Sequence, residues 1–404
     1  MGFTGATAGL AAGAQTNDTV IDYALEATFG VPPTGDYQAL RITGDSLRQS
    51  ETTSRPDEIN AVGEVSESVV TQVSASGSIS GALSTTTFDD MFAGVMSADF
   101  AAAPKVLTVS AEVGATVLRA SANHGGRDAI AGAADFANWP ACGAVWIRDA
   151  TNNLDLILPY LANDGALLFK AGSFGVADQT ALSVGATITL ADIVNGKIDK
   201  TYTFRKKILG KFLHYPGSLV NQGQIQLNQG GSGTVSFDLL SAKETISDAD
   251  IAASVLPAPT GPVHNTVDNY LGCWINGVQP EGCVTASTIT LSRSGSGADY
   301  GNGHADACGM RKGSFQAAAS ISYYFRSWDQ YQDMRNGKKG PVVIRSVDDV
   351  GNGYAFAFLN SALRNGNLPT QGKNQTYTVS FDIDPGPMEG AEGTFAIFRI
   401  SGAA

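Results

Sequence analysis

Residues 72–83 (QVSASGSISGAL) alternate strictly. Val73, Ala75, Gly77, Ile79, Gly81 and Leu83 are apolar or small, while Gln72, Ser74, Ser76, Ser78 and Ser80 are polar. A period of two predicts a strand with one buried face and one polar face. Residues 315–325 (FQAAASISYYF) keep the same phase, with Phe315, Ala317, Ala319, Ile321, Tyr323 and Phe325 on the apolar side and Gln316, Ser320 and Ser322 opposite. Ser-Ile-Ser stands in both, at 78–80 and 320–322. The segment after each strand also repeats. In TFDDMFAGVM, Phe88, Met91, Phe92, Val95 and Met96 fall at i, i+3, i+4, i+7 and i+8, one helical stripe. Thr87 is placed to cap that helix, with Asp90 three residues on. In SWDQYQDM, Ser327 takes the cap position, Gln330 stands three residues later, and Trp328 and Tyr331 repeat the stripe.

An aromatic strand then comes in each half, YTF at 202–204 and YAFAF at 354–358. After it comes the pentapeptide TVSFD, at 234–238 and again at 378–382. The same order written twice predicts a duplicated unit. The first copy is longer by about 90 residues, which places an insertion at 105–195. Its strand signals are TVLRAS, AVWIRDA, LDLILPYL and ALLFKAG, separated by glycine-rich turns, and they predict a small all-β module on a surface loop. The first unit is then 1–104 with 196–243, and the second is 266–404. The first opens on ALRITGDSL (39–47) and the second on CVTASTITLSRS (283–294). The first closes in a hairpin, QIQLN turning through QGGSG into TVSFDLL. Between the units, 244–265 reads as a linker, because Pro257, Pro259 and Pro262 block regular structure. Residues 48–68 (RQSETTSRPDEINAVGEVSES) are charged, hold one proline and show no apolar stripe. A loop of that length in a compact domain is usually functional or an interaction arm, and its charged positions are Arg48, Glu51, Arg55, Asp57, Glu58, Glu64 and Glu67.

The chain has 404 residues, 43% hydrophobic and only 16% charged. That balance favours short strands and turns over charged amphipathic helices. Net charge is −12, a poor basis for gripping phosphate. It does not exclude a surface past which DNA slides without sticking. Neither a basic leader nor a run of about 20 apolar residues is found, so the expectation is a cytosolic product with no membrane role. The four cysteines, Cys142, Cys273, Cys283 and Cys308, form no metal-site spacing. They read as free thiols, with a Cys273–Cys283 bridge as the alternative.

Catalytic chemistry finds little support. No GxSxG elbow occurs, since GSISG puts isoleucine at the centre. GHADAC (303–308) reads as a glycine-rich hairpin tip rather than a metal site. GNGH and GNGY are turns, SDAD (247–250) a solvated loop, and TFRKKILGK (203–211) a solvated strand face. The expectation is a protein without enzymatic activity, cofactor or metal.

The run QALRITGDSL, then SETTSRPDEI, then SISGALSTTTFDDMF, resembles the tail tube proteins of long-tailed, siphovirus-type bacteriophages. FLHYPGSLVNQGQIQLNQGGSGTVSFDLL resembles the end of that family's first tube unit, and ITLSRSG with GSFQAAASISYYFRSWDQY and GTFAIFRI resembles a second. The likeness runs from about Tyr23 to the end and lies in the order of segments. It implies a mainly β protein of two tandem β-sandwich tube domains, each with a short flanking helix, besides the inserted β module. It implies a structural virion protein, assembled in the host cytoplasm into stacked rings that form the tail tube and conduct DNA at ejection. Implied partners are other copies of the chain, the tape measure protein, the tail terminator and distal tail proteins. Two units per chain favour a trimeric ring of pseudo-sixfold symmetry, with a hexameric ring as the alternative. The arm then bridges rings. Ser74, Ser76, Ser78, Ser80, Gln316, Ser320 and Ser322 then face the lumen. The rival reading is a phage or bacterial surface-binding β protein of spike or adhesin type, which stays a discrete oligomer and binds glycan.

Overall fold

A computed structural model describes residues 15–57, 64–370, 372–388 and 392–402. The first set of strands is β1 (Val20–Leu25), β2 (Asp36–Ala39), β3 (Gly44–Asp45), β4 (Arg48–Ser54) and β5 (Val69–Ala82), succeeded by helix α1 (Asp89–Met96). Nine short strands come next: β6 (Val106–Thr108), β7 (Thr116–Ser121), β8 (Arg127–Ala131), β9 (Gly143–Asp149), β10 (Leu154–Tyr160), β11 (Ala162–Asn163), β12 (Leu167–Phe169), β13 (Gln179–Ala181) and β14 (Thr187–Leu190). The chain returns through β15 (Ile193–Val194), β16 (Tyr202–Ile208), β17 (Lys211–Asn228), β18 (Thr234–Ser241), β19 (Thr245–Ser247) and β20 (Ser254–Leu256). The last set is β21 (Tyr270–Ile275), β22 (Val284–Ser294), β23 (Gly297–Asp299), β24 (Gly309–Arg311), β25 (Ser314–Tyr324), α2 (Asp329–Arg335), β26 (Lys339–Val347), β27 (Gly353–Asn367), β28 (Thr378–Gly386) and β29 (Phe395–Ile400).

The two large sets share one pairing pattern. In the first, β1 lies beside β16, β16 beside the start of β17, and that start beside β19. The end of β17 pairs with β18, β18 with β5, and β5 with β4. In the second, β21 lies beside β26, β26 beside the start of β27, and that start beside β29. The end of β27 pairs with β28, β28 with β25, and β25 with β22. Each unit is thus two sheets that share one long bent strand. In β17 the bend falls at Pro216 and Gly217, where Gly217 has φ +65° and a Cβ would lie 2.8 Å from the Phe29 ring. Only glycine fits there without displacing a neighbour.

This topology corrects one expected match. YTF lies on β16, whose counterpart is β26, whereas YAFAF lies on β27, the counterpart of β17. Adjacent strands over one core both bury aromatics, so composition alone does not tell them apart. The longer connection in the first unit is therefore 97–201, between α1 and β16, against 336–338 between α2 and β26.

The helical stripe is buried in full, and Phe92 packs its ring 5.2 Å from Phe237 and 6.0 Å from Tyr354 of the second unit. Thr87 does not cap α1. Its hydroxyl pairs with Ser84 at 2.7 Å, Phe88 takes the cap position, and the first turn carries Asp89 and Asp90 instead. In α2 the Ser327 hydroxyl accepts the Asp329 N–H at 3.2 Å, while Trp328 stands at the cap.

The inserted strands form two small sheets, β10-β9-β14-β6 and β11-β12-β8-β7-β13, around a separate core that includes Val117, Ile130, Ile147 and Phe169. The module packs on the second unit. The Arg345 guanidinium lies 4.7 Å over the Trp146 ring and 4.0 Å over Trp274, and it donates to Asp155 at 2.7 Å. The segment after 243 is not wholly irregular, because β19 joins β17 and β20 runs parallel to β2. No regular strand occurs from there until β21, and three prolines fall in that stretch.

The basic stretch 203–211 is a solvated face only in part: Lys207 and Lys211 are exposed, but Arg205 is not. Arg205 is 2% exposed, sits between the rings of Tyr37 and Phe212, and donates two N–H groups to Asp22 at 2.7 Å each. Its remaining arm meets Asp250, so that part of SDAD is an ion-pair partner rather than free loop. Burial by itself lowers the Arg205 pKa, and Asp22 and Asp250 more than offset this, for a net rise. The signal for this role lay on β1, where Asp22 interrupts an otherwise apolar strand.

Candidate assembly surfaces

The second sheets of the two units are one sheet. The end of β17 pairs with β22 over seven register positions, from Gln222 opposite Ser292 to Asn228 opposite Ala286. Eight strands therefore run in the order β4, β5, β18, β17, β22, β25, β28 and β27. One face is core: Ile79, Phe237, Ile225, Ile289, Ile321 and Phe381 are all buried. Strict alternation puts the intervening residues on the other face.

That polar face carries the predicted serines and glutamine. Ser74, Ser76, Ser78 and Ser80 are half-buried on β5, Gln316 and Ser320 are exposed on β25, and Ser322 is half-buried there. The register joins them into rows. Ser78 lies opposite Asp238, which lies opposite Gln222, then Ser292, then Gln316. Thr288 lies opposite Ser320, which lies opposite Asp382. Sequence reasoning passed over Gln222, Gln224 and Gln226, although their alternation in QGQIQLN was visible. It also passed over Asp238 and Asp382, which close the two TVSFD repeats. No lysine stands on these eight strands at the positions that form the sheet. Asp384 pairs with Arg364 at 3.4 Å, and Asp382 accepts from Asn365 at 2.7 Å. Asp238 is exposed, and the sheet packed around it only partly desolvates its carboxyl, which raises its pKa.

Both ends of this sheet are open. Among the described residues, no strand pairs with the outer edge of β4 or with 363–367 on the side away from β28, although the Gly366 N–H donates to Met334 Sδ at 3.1 Å. Such edges are templates for another chain.

The segment expected to be a loop at 48–68 begins as strand. Residues Arg48–Ser54 pair with β5, from Arg48 opposite Ser76 to Ser54 opposite Val69, and the ribbon extends beyond the sheet. No alternation marked it because both its faces meet solvent. Arg48, Glu51, Arg55, Asp57, Glu64 and Glu67 are all exposed, and Glu58 lies outside the described residues. The matching hairpin of the second unit, β23 and β24 with its tip at 300–308, folds back onto the first unit. Val73 N–H donates to the Ala305 carbonyl at 2.8 Å, and Lys243 pairs with Asp306 at 2.8 Å. His304 and Cys308 belong to this tip, and all four cysteines are free thiols.

A duplicated β scaffold with a polar sheet open at both ends defines a structural protein built to associate. The chain belongs to the phage tail tube protein family, whose sequence pattern it matches over residues 16–385. It is a structural component of the virion tail. No curated protein matches the sequence.

Proposed function

We propose that three chains close side by side into a ring of six tube units, and that the rings stack into the conduit for DNA. The observation that carries this is the eight-stranded sheet, already continuous across two units and open at both edges. Edge strands that pair around a circle leave no edge. Three such sheets give roughly 24 strands at about 4.8 Å spacing, a circumference of about 115 Å before strand tilt widens it. The polar, lysine-free face lines the channel, where amides, hydroxyls and acidic groups predominate; of its two arginines, Arg364 is paired with Asp384 and Arg48 stands at the β4 edge, so phosphate finds little to grip. The exposed ribbon beyond β4 bridges to the next ring. Tape measure, terminator and distal tail proteins are the partners that such a tube needs.

Electron microscopy of the purified protein at high concentration tests the reading. Hollow annuli with six lobes and three chains, or tubes built of them, are expected. Annuli of six whole chains would replace the ring number and keep the tube. Compact particles that bind glycan would favour a surface-binding protein instead.

A further inference from the structure

The junction inside one chain is a template for the junction between chains, and the two flanks that would meet differ in chemistry from it. We infer that the α2 end of the second unit docks on the β4 flank of a second copy through an acid–base and apolar contact. This rests on the ring reading, and it fixes which atoms meet.

Equivalent positions come from the register. Ser50 stands on β4 where Ser292 stands on β22, because their partners Ser74 and Gln316 lie 242 residues apart, as do Ser78 and Ser320. Arg364 stands on β27 where Gln222 stands on β17, because their partners Asp382 and Asp238 end the two TVSFD repeats. Gln222 pairs with Ser292 inside the chain. A second copy docked the same way sets its Ser50 opposite Arg364.

The neighbouring side chains then fall into place. Arg293, next to Ser292, donates Nε–H to the Val95 carbonyl at 2.8 Å and a second N–H to the Ser97 hydroxyl, at the C-terminal end of α1. On β4 the matching residue is Glu51. Ser97 and Gly337 both end their helices in the left-handed region, at φ 48° and 63°. After Ser97 come Ala98 and Asp99, but after Gly337 come Lys338 and Lys339. The basic residue has moved from the strand to the helix end, and an acid has taken its former place. Lys339 and Glu51 are both exposed in the single chain.

The apolar part sits further along the helix. Inside the chain, Phe356 and Ile397 are register partners, and the Phe356 ring lies 6.2 Å from that of Phe92 on α1. Tyr215 of β17 and Phe358 of β27 flank the same bulge, so the matching register partners of the first unit are Leu213 and Ile246, and Ile246 is 66% exposed. Trp328 takes the cap position of α2, as Phe88 does of α1, and is 56% exposed. An exposed isoleucine on the flank that meets α2, with an exposed tryptophan at the start of that helix, is what a buried contact between copies requires.

Cysteines at the directly opposed positions test the register. Ser50→Cys with Arg364→Cys, oxidised under conditions where wild-type protein forms annuli, should link chains to one another. The product should run as a closed covalent trimer, and each single variant controls for Cys283 and Cys308. Separately, Glu51→Lys should weaken ring formation by about tenfold or more, and adding Lys339→Glu should recover most of that loss. Annuli that form without the interchain link, or a double charge reversal no better than Glu51→Lys, overturn the inference and leave the ring standing. A chain that stays single at every concentration and never links overturns both.

Discussion

At the scale of single residues, His264 is the most informative. It is fully buried between the units, its Nδ1 is 3.1 Å from the Ser346 hydroxyl of the second, and its Nε2 is 3.2 Å from the Thr85 hydroxyl of the first. Burial lowers its pKa to about 4, from 6.5. The unfolded chain therefore binds a proton that the folded chain refuses between those values, so stability falls as pH drops from about 6.5 to about 4 and levels off below. Full expression of that shift corresponds to roughly 3 kcal/mol. Chemical denaturation at pH 7 and pH 4.5 should show this loss, and His264→Gln should remove most of the difference. Arg205 is the second such residue. Arg205→Met leaves Asp22 buried without its partner, and a loss of about 3–5 kcal/mol is expected by the same measurement. The role of His264 left no signal in the sequence, and that of Arg205 left only the indirect one of Asp22 in an apolar strand. A histidine in a proline-flanked stretch and an arginine in a basic run both look like surface, and only long-range packing buries them.

Among the elements, the helix and the ribbon mark opposite ends of legibility. The stripe Phe88, Met91, Phe92, Val95 and Met96 was plain, because a helix against a core must repeat near 3.6 residues. Phe92→Ala should cost about 3–5 kcal/mol and melt both units together, since its ring touches Phe237 in one and Tyr354 in the other. Thermal unfolding measured by calorimetry would show a single lowered transition. The β4 ribbon was not plain as a strand, because solvent on both faces erases the period-two signal. Its placement changes how the arm should be tested. Removing 49–67 would delete a strand of the polar sheet, whereas removing 56–66 and closing the turn spares it. That shorter deletion should yield folded protein that forms rings which do not stack, checked by electron microscopy. Normal tubes would show that the ribbon is not the bridge.

For the whole molecule, duplication was legible from Ser-Ile-Ser, the helix stripe and TVSFD, even though one matched pair of aromatic strands was off by a strand. The joining of the two units into one sheet was not, because no local pattern records which strand a sheet edge meets. Polar alternation did reveal the serines of β5 and β25, and the same rule applied to QGQIQLN would have added the glutamines. Ser76→Lys with Ser78→Lys places new positive charge on the polar face beside Asp238. Slower or incomplete DNA ejection is expected from virions carrying that pair, read by dye release of the genome. Unchanged kinetics would show that this face does not line the passage.

Only one of the two units carries the inserted β module, clamped through Arg345 between Trp146 and Trp274. In a ring of three chains the outside would then bear a protrusion on every other unit, while the bore repeats nearly six times. On the proposed ring, whatever grips the tail from without would count in threes, even where a genome passing within would meet a wall that counts in sixes.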